Sequence, residues 1–174
     1  MLSIFISLIF AITLGGGVAI AANHSIPGDI LYPFKIAVNE RAEARLTYGS
    51  EAAVELHIAT MEERLKEATS LATKGKLDAQ TVQELTENFN THARAVTETI
   101  TGLQAVGDTA GAADLATKFQ ATLTRQTATL VDVGTKNTAP VQTSLASVLA
   151  SVQAALGAAA LTSAKASAQA AVEQ

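Results

Sequence analysis

SEAAVELHIATMEERLKEATSLATK, residues Ser50 to Lys74, decides the fold of this chain. Its apolar residues Val54, Ile58, Met61, Leu65, Ala68 and Ala72 follow one another at steps of 4, 3, 4, 3 and 4, the spacing that lines one side of a helix with a heptad seam. Ser50 is placed to cap its start. Gly75 is placed to end it in a left-handed conformation, and Lys74 and Lys76 complement the negative end of the helix dipole. Glu62 and Lys66 form an i,i+4 pair of favourable polarity on a face assigned to solvent, together with Glu63 and Glu67.

A helix with one oily side needs a partner. Asp78 is a good N-cap for a second helix carrying Val82, Leu85, Phe89, Ala93, Val96, Ile100 and Leu103. The connection Gly75 to Leu77 is too short for anything but an antiparallel hairpin. Gly107, Asp108 and Gly111 mark the next corner. Beyond it Leu115, Phe119, Leu123, Gln126, Leu130 and Val133 continue the pattern. Gly134 to Ala139 breaks the chain again, and Pro140 suits the first turn of a last helix seamed by Val141, Leu145, Val148, Val152 and Ala155. The expected fold class is therefore all-α, an antiparallel bundle of about four to five helices. It follows an N-terminal apolar leader and occupies residues 23–160. Residues 161–174 form an Ala/Ser-rich tail, read as a helical extension because alanine has the highest helix propensity.

The leader, MLSIFISLIFAITLGGGVAIAA, has no charged side chain. Leu2 to Leu14 forms an apolar core, Gly15 to Gly17 interrupts it, and Ala19-Ile20-Ala21 matches the small-x-small pattern before a signal-peptidase cut after Ala21 or Ala22. The basic residues that normally open a signal peptide are missing. About 20 apolar residues also suffice to cross a bilayer, so residues 1–22 are read as a signal peptide or a membrane anchor. Immediately after them, HSIPGDILYPFK gathers two of the three prolines. Pro27-Gly28 suits the centre of a type II turn, Asp29 an N-cap, and Pro33 the first turn of a helix from about Ile30 to Thr47. That helix turns Ile30 and Phe34 inward and Lys35 to water, with Tyr32 and Phe34 as anchors.

The run SIPGDILYPFKIAVNE, followed by ELHIATMEERLKEA, resembles a bacterial family known as domain of unknown function 5667. Its pattern is an L-P-G-D-x-L-Y-P-x-K motif with a later run ending in R-L-x-E-A. The likeness covers about residues 26–103. It implies an extracytoplasmic helical domain without assigned chemistry, and so no catalytic residue to carry over.

Composition removes several functions. The 12 basic and 16 acidic residues give a net charge of -4, and no basic stripe exists to release counterions from a nucleic-acid backbone. The absence of cysteine removes disulfides, thiolate metal sites and thiol nucleophiles. Gly15 to Gly17 lacks the strand-turn-helix setting of a phosphate loop. Serine-histidine and two-carboxylate mechanisms need groups held together away from water, whereas Glu62, Glu63 and Glu67 lie on the face assigned to solvent. His24, His57 and His92 are the only histidines. Neither His57 nor His92 has a ligand three or four residues away on its own helix, so the Glu-x-x-His test of a bundle metal site fails. A hairpin turning near Lys76 nevertheless brings His57 opposite residues 92–96, with Glu55 and Glu98 in the neighbourhood. The alternatives at that point are two ordinary seam-edge histidines or a cross-helix site.

The expected function is a noncatalytic, interaction-mediating bundle, exported or membrane-anchored. It has no cofactor, no catalytic residue and no committed metal ligand, and its partner is a protein or a second copy of itself. Membrane contact is confined to residues 1–22 if they are retained. The alternative is an extracytoplasmic metal or stress sensor or a holdase-type chaperone. From Gly102 onward only Lys118, Arg125, Lys136 and Lys165 face Asp108, Asp114, Asp132 and Glu173 in charge, a weakly charged, Thr- and Ala-rich surface suited to packing against another chain.

Overall fold

The computed structural model describes residue 22, residues 24–39 and residues 49–172, which fall into two compact units divided between Tyr48 and Gly49. The leader through Ala21 and residues 40–48, on which the reading of a signal peptide and of a helix to Thr47 depend, lie outside the described residues.

The first unit is built around the proline-glycine turn. Asp29 N donates to the Ile26 carbonyl at 3.0 Å, and Gly28 takes φ 93°, as a type II turn requires of its third residue. The Asp29 carboxylate accepts from Ile26 N at 3.0 Å, so it braces this turn and does not cap the helix. Ser25 donates to the Ala22 carbonyl through both its backbone N at 2.9 Å and its Oγ at 2.6 Å. Helix α1, Tyr32–Phe34, carries Pro33 in its first turn and passes into a π-helical stretch, Lys35–Asn39. Two side chains depart from the expected amphipathic stripe. Ile30 is 95% exposed, and Lys35 is 4% exposed. The lysine goes inward because its ammonium has partners there: Nζ donates to the Ser25 carbonyl at 3.2 Å and stands 6.0 Å from the centre of the Tyr32 ring.

The second unit is a bundle of four long helices: α2, Ser50–Thr73; α3, Ala79–Ala105; α4, Thr109–Thr135; and α5, Ala139–Val172. No strand occurs among the described residues. Two corners are closed by the same device. Lys76 N donates to the Leu71 carbonyl and Gly75 N to Ala72; Asp108 N donates to Leu103 and Gly107 N to Gln104. Each is a Schellman closure, which uses up orphan carbonyls at the helix end while the glycine takes the left-handed conformation. The following helices start on side-chain caps, Asp78 accepting from Thr81 N at 2.8 Å and Asp108 from Gly111 N at 3.0 Å. Ser50 does not cap α2; it is the first helical residue, and Gly49 holds the cap position at φ 92°. Gly134 does not break the chain either, since α4 runs through Thr135 and the corner falls at Lys136 to Thr138.

The helices form two hairpins, α2 with α3 and α4 with α5, laid side by side so that α2 packs on α4 and α3 on α5, while α2 and α5 touch least. Cross-helix bonds fix the directions. Arg125 reaches Glu62 and Lys118 reaches Glu51, so α2 and α4 run in parallel, and Gln104 donates to the Thr162 carbonyl, binding the end of α3 to α5. Met61, Leu65, Phe89, Ile100, Phe119 and Val152 are all 2% exposed or less and fill the centre. The seams predicted from periodicity are the buried positions, apart from Ile58, Gln126, Leu103, Val133 and Ala155, which are half-buried at seam edges. Packing on α5 extends to Ala159 and Thr162, and the helix continues to Val172.

Helix α2 differs from the expectation in one respect. Besides its heptad seam it buries a second stripe, Thr60, Arg64, Glu67 and Leu71, at steps of 4, 3 and 4. Glu67 is therefore not on a solvated face; it is 1% exposed and is bonded by Arg64, itself 0% exposed, at 2.5 Å. The expected Glu62-Lys66 pair is also replaced. Glu62 turns to Arg125 at 3.0 Å, and Lys66 lies 3.9 Å from Glu63.

Candidate functional site

The structure brings two of the three histidines into contact. His57 on α2 and His92 on α3 lie 18 and 17 residues on either side of Gly75, so the tight corner sets them at the same height in the hairpin. Their Nδ1 atoms are 2.9 Å apart, with ring centres at 5.1 Å and planes tilted by 46°. His24, in contrast, is exposed in the first unit.

A 2.9 Å contact between two Nδ1 atoms dictates protonation. One ring must present an N–H there and the other a lone pair, so the two neutral rings take opposite tautomers. Burial lowers the pKa of His57. Burial also acts on His92, with the charges of His57 and Arg64 adding to it, and brings it down to about 4. Both imidazoles are therefore neutral at pH 7, the form in which imidazole is a metal ligand.

The remaining candidates stay apart. Glu55 is exposed and lies 3.9 Å from Lys118, Glu98 is exposed, and no group of three or more His, Cys, Asp or Glu side chains able to hold a metal is present among the described residues. The buried Arg64-Glu67 pair was missed by sequence reading, although its i,i+3 spacing together with Thr60 and Leu71 at helical steps was the signal for a second buried stripe.

Grooves elsewhere on the surface include two among the described residues. One, of about 480 Å³, lies between α3 and α5 and is edged by Val82, Thr86, Glu87, Thr143 and Ser147. The other, of about 300 Å³, lies at the corner of α4 and α5 against Leu130, Val131, Leu145 and Leu149. Helix α5 is itself unusual: Ala139–Lys165 is long and apolar enough to cross a bilayer, yet only 22% of its apolar window is buried in the bundle.

Fold and site together define an all-α bundle of paired hairpins with a histidine pair at the α2/α3 seam. The chain belongs to the family described as Domain of unknown function (DUF5667), whose model matches residues 24–173. The match continues well past Leu103, where the motif likeness ends, and takes in α4 and α5. No curated protein and no solved structure matches the chain.

Proposed function

We propose that this chain is an exported or membrane-anchored bundle that works by binding protein, a second copy of itself included, and not by catalysing a reaction. The observation that carries this reading is the outer side of α5 and its neighbour α4. An apolar helix with only 22% of its window covered leaves hydrophobic surface in water, where Leu161 is 67% and Val131 47% exposed. Polar residues nearby are already engaged. Thr124, Thr127, Thr129, Thr143 and Thr162 donate their hydroxyls to the carbonyl four residues back on their own helix, so they offer few donors to water. Asp114 and Lys118, Arg125 with Glu62, and Asp132 with Lys136 are paired, and Asp108 is a cap. Such a surface loses little on desolvation when another chain covers it.

Native mass measurement of the full-length chain in detergent tests this, combined with cross-linking in cells. Self-association or a cross-linked protein partner is expected, weakened by Leu161→Lys. A chain that stays monomeric and gathers no cross-linked protein would remove the proposal. Extracytoplasmic location is part of the same reading and is supported by the apolar run Leu2 to Leu14 with its Ala19-Ile20-Ala21 end. The N-terminal mass of the protein from cells decides between release and anchoring. The His57-His92 contact favours a second reading, an extracytoplasmic metal sensor.

A further inference from the structure

We propose that His57 and His92 together bind a divalent transition-metal ion of tetragonal preference, Cu2+ above all, across the α2/α3 seam. The inference rests on the metal-sensor reading and is independent of whether the chain binds protein.

The distance between the two nitrogens is compatible with neighbouring positions on one ion. Two imidazole nitrogens each about 2.0–2.1 Å from a metal, and 2.9 Å from one another, subtend about 90° at it. That is the angle between neighbouring positions of a square-planar or tetragonal ion, the geometry of Cu2+ and Ni2+ with nitrogen and oxygen ligands. A tetrahedral ion such as Zn2+ needs the same nitrogens about 3.3 Å apart, a change that ring rotation can supply. Cu2+ also stands highest in affinity among the first-row divalent ions at a given nitrogen site.

The protein part of the site is rigid where rigidity matters. Each histidine stands mid-helix, next to buried seam residues, with Met61 one turn beyond His57 and Phe89 one turn before His92, both 1% exposed. The helix backbones thereby fix the two points from which the rings swing. In the metal-free pair one lone pair is used by the neighbouring N–H. To share an ion, the donor ring changes tautomer, its proton passing by way of solvent from Nδ1 to Nε2, and each ring turns about χ2, a broad torsion of low cost, to aim its Nδ1 lone pair at the metal. Both side chains are half-buried, so solvent oxygen reaches the remaining positions. The positive charge of Arg64 acts against a cation at His92, and the bond from Arg64 to Glu67 at 2.5 Å offsets part of that charge.

The test uses the full-length chain in detergent, stripped with chelator and titrated with Cu2+ alone, followed by calorimetry and electron paramagnetic resonance. One Cu2+ per chain is expected, with superhyperfine splitting from two imidazole nitrogens. His57→Asn and His92→Asn should each weaken binding by about tenfold or more and leave a one-nitrogen spectrum, while His24→Asn should change neither. Should either seam variant lose helicity, the wild-type spectrum still decides, because fewer than two imidazole nitrogens on the copper removes the site. Copper binding that survives both seam substitutions, or that depends on His24, removes it as well. A chain that ignores copper yet self-associates loses this site and the sensor reading while the interaction proposal stands; a monomer that binds copper through both histidines gives the reverse result.

Discussion

Arg64 and Glu67 are the residues whose placement carries the largest energetic consequence. Both charges are drawn out of water and bonded to each other, so removing one takes a bonded counter-charge from a buried charge. Arg64→Ala is expected to destabilise the fold by about 3–5 kcal/mol, read from the urea midpoint, whereas the double replacement Arg64→Met with Glu67→Leu should cost far less. A double mutant as unstable as the single one would show that the loss is one of packing and not of charge. His92 gives a pH dependence of definite sign. Its folded-state pKa, about 4, lies below the ordinary imidazole value of about 6.5, so between these two the unfolded chain binds more protons. In the metal-free protein its contribution is complete above pH 6.5 and disappears as pH falls through about 4. Since the ring is partly solvated, the expected loss is about 1–2 kcal/mol. The groups acting on it are His57 from the facing helix of the hairpin and Arg64, with Glu67 bonded to the latter. Unfolding series at several pH values check this, and His92→Phe should flatten the slope.

Among the elements, the start of α4 shows how narrowly a helix end is specified. A Cβ on Gly111 would stand 2.6 Å from Oδ2 of Asp108, the carboxylate that accepts from Gly111 N. Gly111→Ala must therefore displace the cap and is expected to cost about 1 kcal/mol. Gly102, inside α3, has open space around the same position, so Gly102→Ala should stabilise by about 0.4–1 kcal/mol through the unfolded state. Thermal or urea melts of the two variants should move in opposite directions. At this scale the sequence was read well where short-range geometry rules. The type II turn, the Asp78 cap, the left-handed Gly75 and Pro140 in the first turn of α5 all depend on a few neighbouring residues. It was read poorly where a distant or buried partner intervenes: Lys35 goes inward to the Ser25 carbonyl, and Glu62 turns away from Lys66 to Arg125 on another helix.

At the scale of the bundle, the core is built of interlocked seams in which Phe89 and Phe119, each 1% exposed, are the only fully buried aromatic rings among the described residues. Phe89→Ala is expected to cost about 3–5 kcal/mol in a cooperative unfolding transition, because the aliphatic and alanine side chains around it cannot collapse into the space. The histidine contact belongs to this scale in its exactness and to the element scale in its origin. A corner at Gly75 sufficed to place His57 opposite residue 92, but not to bring two Nδ1 atoms to 2.9 Å.

The sequence by itself determined that the chain is helical, where its corners fall and which side of each helix is oily, since these follow from periodicity, caps and turn chemistry acting over a few residues. Only the tertiary structure decided that α2 has two buried sides, that Arg64 and Glu67 lie within, that α2 pairs in parallel with α4, and that α5 leaves most of its apolar window uncovered. The physical reason is that periodicity marks which surface avoids water, while the partner that covers it is chosen by shape and charge brought together from residues far apart in the chain.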